Sequence, residues 1–238
     1  MAIFHLNHRH IKRSKGLSSI EQADKITGEY FVETRTAKKF NYQKLSNKIV
    51  TCKTMFPAFE FNKIATSEFW NALENFEDSY ASFYYKKPET IEKYKDTACV
   101  AILIRVALPN ELPQKEHTKL VEEFINKRFL ERYLVVTYGI HESPNNPHAF
   151  LLVSRRALDE NGKFIKRKDR EICTRLGIII TRELWANLVN EYLKKEGFDA
   201  RVTHKSYAAL GIERAPSKRL GWRYHQQKRE QTSLKINR

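Results

Sequence analysis

Two histidines, His141 and His148, have the spacing and flanks of a site that holds a divalent metal ion. Residues 137–156 read TYGIHESPNNPHAFLLVSRR. Apolar runs at 133–140 and 149–153 enclose a polar connection at 142–147. Alternating apolar residues bounded by Pro and Asn predict two strands, and so short a connection predicts antiparallel pairing. One histidine closes the first strand and the other opens the second, so the imidazoles face each other near the centre of the sheet. Neutral imidazoles held this way suit a divalent metal. Hydrogen-bonded sheet histidines with no ligand are the competing reading. Two residues beyond His148 stands Phe150, whose side chain has no atom that can ligate.

The rest of the chain must supply the frame. A short alternating strand is expected at 2–8. It runs into a basic cluster, Arg9, Lys12, Arg13 and Lys15, with no acid until Glu21. Ser18 to Glu21 has the form of a capping box and opens a short helix that stops near Gly28. A hairpin is expected from 29–34 and 39–42, and a mostly helical stretch from 56 to 94, broken at Pro88. The strongest strand is 97–108, nearly continuous in apolar residues. Residues 113–129 form an amphipathic helix with Leu120, Val121, Phe124, Ile125 and Phe129 on one face. Residues 157–177 read as a polar connection that turns at Asn161-Gly162 and carries a basic run at 163–170. A last helix spans 181–195, with Trp185 and Leu188 inward, and stops at Gly197. Strands and segregated helices in this order predict an α+β fold with a central antiparallel sheet.

The charge balance narrows the partner. The 238 residues include 43 Lys and Arg against 28 Asp and Glu, a formal charge of +15. Mean hydropathy is −0.60 and the pI is about 9.7. An excess of this size points to a polyanion, nucleic acid first, with solubility alone as the bland alternative. No amphipathic anchor and no apolar run of membrane-spanning length stands out, and the first residues lack the order of a signal peptide, so no membrane partner is expected. Three scattered cysteines, Cys52, Cys99 and Cys173, fit a reducing cytoplasm. Residues 218–238 hold seven Lys/Arg against one acid and no apolar pattern, as in a flexible arm.

Five stretches, in order, resemble the nicking domain of the MobA/MobL relaxases: AIFHLNHRHIKRSKGLSS, ADKITGE, VALPNEL, GIHESPNNPHAFLLVSRR and RELWANLVNEYLKKEGFDARVTHKSYAALGIERAP. The resemblance covers residues 1–221 and leaves 222–238 as the basic arm. It implies the two-histidine (HUH) nuclease fold, a five-stranded antiparallel sheet with helices packed on one side. It also implies binding of hairpin and adjacent single-stranded DNA at a transfer origin. In such proteins a tyrosine attacks the scissile phosphate and a metal held by three histidines polarises it. The family's nucleophile position, three residues before Gly28, is Lys25 here. The metal ligands correspond to His141, His148 and, in third place, Phe150. Carboxylates found in some members correspond to Leu103 and Arg105, and a late histidine to Arg219.

The resemblance therefore implies a relaxase scaffold with its chemistry dismantled. Lysine cannot form the phosphotyrosine link, and two imidazoles bind a divalent ion (Mn, Mg or Zn) weakly or not at all. The residues expected on DNA are Arg9, Lys12, Arg13, Lys15, Lys25, Arg105, Arg155, Lys166, Arg167 and Lys168. Tyr30 is an outside candidate for a displaced nucleophile, with a core-facing strand aromatic as the bland reading. Phe83, Tyr84 and Tyr85 have the chemistry to stack bases, with core packing as the default. Glu33 and Glu60 show no pairing that would make either a general base. The main expectation is a DNA-binding accessory or regulator of a bacterial plasmid or mobile element, cytoplasmic and without robust nicking. The alternatives are a working metal-dependent relaxase and an adaptor that meets other mobilisation or type IV secretion proteins.

Overall fold

Both faces of the middle strands are apolar, so the sheet is buried on both sides. The computed structural model describes residues 3–58, 64–141, 146–206 and 208–213. Its strands are β1 (Leu6–Lys12), β2 (Tyr30–Val32), β3 (Lys39–Asn41), β4 (Ile49–Met55), β5 (Cys99–Ala107), β6 (Leu134–His141), β7 (His148–Leu158) and β8 (Phe164–Lys168). Its α-helices are α1 (Ser19–Thr27), α2 (Thr66–Tyr84), α3 (Pro88–Thr97), α4 (Gln114–Arg128) and α5 (Arg175–Lys195). The central sheet is antiparallel in the order β1-β5-β7-β6-β4, with β8 added along β7. β2 and β3 form a separate ribbon. Met1–His204 make up one compact unit. In the second, Lys205–Arg238, the described residues include a single helical turn at Ala208–Leu210. The expected arm, 222–238, and Arg219 lie outside the described residues.

The α+β class and the antiparallel sheet are as expected, but helices lie on both faces rather than one. On one face Ile102, Ile104, Val136, Tyr138, Leu151 and Val153 pack with Phe124 of α4 and Trp185 of α5. On the other Ala101, Val135 and Leu152 pack with Ile20 and Ile26 of α1 and Phe69 and Trp70 of α2. The cause is visible in β5 itself, where residues of both parities are apolar and a bare second face would leave them in water.

Two strands escape the sequence reading. β4 pairs with β6 in a segment of mixed Thr, Cys and Lys, and as an edge strand it buries too little to show strict alternation. β8 lies in the supposed polar connection, which is a hairpin: β7 runs on to Leu158, turns at Gly162 with φ +74°, and returns as β8. Only Phe164 of β8 packs against the core, so its basic residues hide the strand.

The α1 face carries the candidate chemistry, and three contacts hold it. Gly139 on β6 lets α1 approach: a Cβ there would meet the Ile26 carbonyl oxygen at 2.4 Å. Ser18 caps α1 by accepting from the Ile20 and Glu21 amides, while Glu21 turns away to Lys25 and Tyr42. Trp70 Nε1 donates to Thr137 Oγ1 at 2.8 Å and ties α2 to β6.

Candidate nucleic-acid site

The register puts His141 directly opposite His148, as the spacing predicts. The same pairing places Phe150 against Gly139 on one side and Arg105 on the other. All these side chains share the α1 face. The imidazole centroids are 5.7 Å apart, and the Phe150 ring sits 5.2 Å from His141 and 5.1 Å from His148, edge-on to both. The third position of the cluster is therefore filled by hydrocarbon.

Both imidazoles are neutral at physiological pH. Burial lowers the His141 pKa, with His148 adding to the effect. Burial also lowers that of His148, helped by the Arg105 cation. His148 Nδ1 donates to the Asn146 carbonyl at 2.9 Å, leaving a lone pair on Nε2. His141 is hydrogen-bonded to the Ile26 carbonyl, and its Nε2 is buried with no protein partner. Imidazoles fixed by backbone carbonyls with Nε2 open are in the form that ligates a metal. Among the described residues no third His, Cys, Asp or Glu joins them, so the donor set stops at two. Glu142 and the next three residues lie outside the described residues. His5 and His117, next in line as ligands by type, are not in this cluster; His117 Nε2 is bonded to the Pro109 carbonyl at 2.7 Å.

The cations sort into two groups. Arg105 lies with its guanidinium 5.7 Å from the Phe150 ring centroid, and its Nε is buried without a protein partner. Arg9 is exposed on β1 opposite Leu103 and shares this face, and Lys15 is exposed beyond it. Arg13, grouped with them by sequence, turns inward: its guanidinium contacts both Glu74 and Asp78, and its side chain is only 6% exposed. Lys168 is likewise held inside by Glu77 at 2.9 Å. Lys25 is bound to Glu21 at 2.6 Å, one turn away on α1. Leu103, which the resemblance set beside Arg105 as a carboxylate position, is partly buried against the α1-side core.

Tyr30 lies on the β2–β3 ribbon and is 46% exposed, so it is not the core aromatic of the bland reading. The phenol nearest Lys25 is one the sequence did not nominate. Tyr42 hydroxyl donates to Glu21 Oε1 at 2.8 Å, and its ring centroid is 4.6 Å from Lys25 Nζ. Glu33 is buried and accepts from the Ser18 and Thr36 hydroxyls, a structural latch at the start of α1. Glu60 lies outside the described residues. Two of the aromatic trio depart from the packing default, Phe83 being 76% and Tyr84 63% exposed, while Tyr85 is half-buried against Tyr94. Cys52, Cys99 and Cys173 are all free thiols. No helix of the described residues is long and apolar enough to cross a membrane.

Comparison with known proteins places this geometry. The chain is similar to the conjugal transfer protein TraA of Agrobacterium fabrum, 27% identical over 243 residues, covering 93% of this chain and 21% of that protein. It is similar to mobilization protein A of Escherichia coli, 26% identical over 239 residues, covering 93% of this chain and 30% of that protein. The chain thus spans under a third of the length of these two relatives. In structure it is similar to one solved for the molecular basis of vancomycin resistance transfer in Staphylococcus aureus, with TM-score 0.71 and 22% identity over 87% of this chain and all of that one. It is also similar to the conjugative relaxase TrwC in a metal-bound complex with oriT DNA, with TM-score 0.52 and 10% identity over 98% of this chain and 99% of that one. At these identities the structural likenesses establish the fold. The sequence profile of the MobA/MobL family matches residues 17–180 and 166–230. With most of its length matched, this chain belongs to the MobA/MobL family.

Proposed function

We propose that this chain is a relaxase-like DNA-binding protein that holds hairpin or single-stranded DNA of transfer-origin type, with nicking lost or strongly reduced. It serves a plasmid or mobile element as an accessory or regulator. The observation that carries the reading is the Phe150 ring packed edge-on against both imidazoles, with the Arg105 guanidinium 5.7 Å from its centroid. Cutting a phosphodiester requires positive charge on its non-bridging oxygens and an attacking oxygen in line. A divalent ion, held by His141 and His148 alone, would polarise such an oxygen but bind weakly. At the former nucleophile position Lys25 offers an ammonium already engaged by Glu21. Arg105, with donors to spare, suits holding a phosphate rather than activating it.

A second reading, an active relaxase with a relocated nucleophile, draws on Tyr42, whose phenol lies beside Lys25. A labelled panel of hairpin oligonucleotides with single-stranded extensions, incubated with protein and Mn²⁺ and run on denaturing gels, separates the two. The proposal expects binding without a denaturant-resistant protein–DNA adduct. An adduct overturns it, and its loss in Tyr42→Phe or Tyr30→Phe identifies the working phenol.

A further inference from the structure

At the far end of β7 a cavity of about 630 Å³ opens between the β7–β8 hairpin and the ends of α2 and α3. Arg156, at its wall, is eight residues beyond His148, or about 26 Å along the strand at ~3.3 Å per residue, so this is not the histidine site. The lining consists of four tyrosines and six Arg or Lys residues, with no acid. Its back wall is rigid. Arg156, fully buried, pairs with Glu77 at 2.6 Å and lies over the Tyr80 ring at 4.3 Å. Glu77 also takes Lys168 and the Tyr94 hydroxyl, so this carboxylate is saturated and adds no free negative charge.

The front is open. Tyr84 is 63% exposed and lies nearly parallel to Tyr80, with 5.3 Å between centroids and 15° between planes. Tyr85 meets the Tyr84 ring edge-on at 5.4 Å between centroids, and among the described residues no ring besides Tyr80 lies parallel to it. Across from it Lys166, Arg167 and Arg170 have no carboxylate partner among the described residues, and Lys166 Nζ sits 4.8 Å from the exposed Phe83 ring. Aromatic faces backed by unpaired cations are the elements that hold unstacked nucleotides: the ring takes the base and the cation the phosphate. The volume falls within the range of small-ligand sites and admits one nucleotide.

We propose that this cavity is a second DNA subsite, which takes one unpaired nucleotide of the bound strand, with its base on Tyr84 and its phosphate on Lys166 and Arg167. The assignment rests on the DNA-binding reading above. It adds a base-stacking anchor remote from the histidines and sets where an unpaired nucleotide must fall along the strand.

The test is an abasic scan. Fluorescence anisotropy measures the binding of labelled hairpin oligonucleotides in which each unpaired nucleotide in turn is made abasic, to the unaltered protein, Tyr84→Ala and Tyr84→Phe. Because Tyr84 is exposed, circular dichroism and the thermal midpoint should stay unchanged in both variants. One abasic position should weaken binding to the unaltered protein by about fivefold or more, and Tyr84→Ala should weaken binding of intact DNA equally. The two losses should not add, and Tyr84→Phe should restore both. Binding that persists with no sensitive position, or with additive losses, overturns this subsite and leaves the DNA-binding reading intact. Free dAMP that abolishes the Tyr84 effect without any abasic position assigns the cavity to a mononucleotide and overturns the strand assignment. Failure of the unaltered protein to bind any of the oligonucleotides overturns both.

Discussion

The salt dependence of the proposed DNA binding follows from which cations the fold has already used. Of the ten residues nominated as DNA contacts by sequence, Arg13, Lys25 and Lys168 are tied to carboxylates. The other seven, Arg9, Lys12, Lys15, Arg105, Arg155, Lys166 and Arg167, have no carboxylate partner among the described residues. Each phosphate neutralised on a single strand contributes about 0.7 to the slope of log affinity against log salt. Seven such contacts give a slope of about −5, so affinity should fall about a thousandfold between 50 and 200 mM salt. The assay is anisotropy titration of a labelled hairpin oligonucleotide at four or five salt concentrations. Lys166→Gln with Arg167→Gln should flatten the slope by about 1.4. Arg13→Gln should leave it unchanged and instead lower stability by about 3 kcal/mol or more, because Glu74 is left buried without its cation. A slope shallower than −2, or an Arg13→Gln variant that flattens it as much as the double change does, would mean that the free and paired cations do not divide in this way.

Two further predictions concern the frame. Burial, the dominant cause, lifts the Asp24 carboxyl from 3.8 to about 6, and its Oδ2 has no hydrogen-bond partner. A raised carboxyl pKa means that the ionised form destabilises the fold above pH 6 and that the penalty disappears as pH falls to 3.8. Asp24→Asn should therefore gain up to about 3 kcal/mol at pH 8 and nothing below pH 3.8, read by urea denaturation at each pH. A gain that does not vary with pH would contradict this. Gly139→Ala should cost about 1–3 kcal/mol, since the new methyl collides with the Ile26 carbonyl and must push α1 off the sheet. An unchanged denaturation midpoint would show that α1 moves freely.

The histidine register, the strongest strand and helices α1, α4 and α5 were legible in the sequence because periodicity and turn residues are local signals. Edge strands β4 and β8 were not, since each has a face in water and is specified by its neighbour more than by its own pattern. Ion pairing was invisible as well. Arg13 meets Glu74 across 61 residues, and Arg156 meets Glu77 across 79, so a cation in a basic run and a cation in the core read alike. The exposed tyrosines pose the converse problem. Phe83-Tyr84-Tyr85 follows the last apolar turn of α2 and looks like core until the helix is seen to end in solvent. A basic run opposite a tyrosine cluster about 80 residues away was the only available sign of the second cavity.

Hydrocarbon fills the third ligand position, and calorimetry with Mn²⁺, Zn²⁺ and Ni²⁺ reads the consequence. The unaltered protein should show no stoichiometric site tighter than about 1 µM, near −8 kcal/mol, whereas Phe150→His should create or tighten one at the His141–His148 pair. Stoichiometric binding tighter than that in the unaltered protein, unaffected by Phe150→His and lost in His141→Ala, would mean that a third ligand is already present and that the site is still built to hold a catalytic metal.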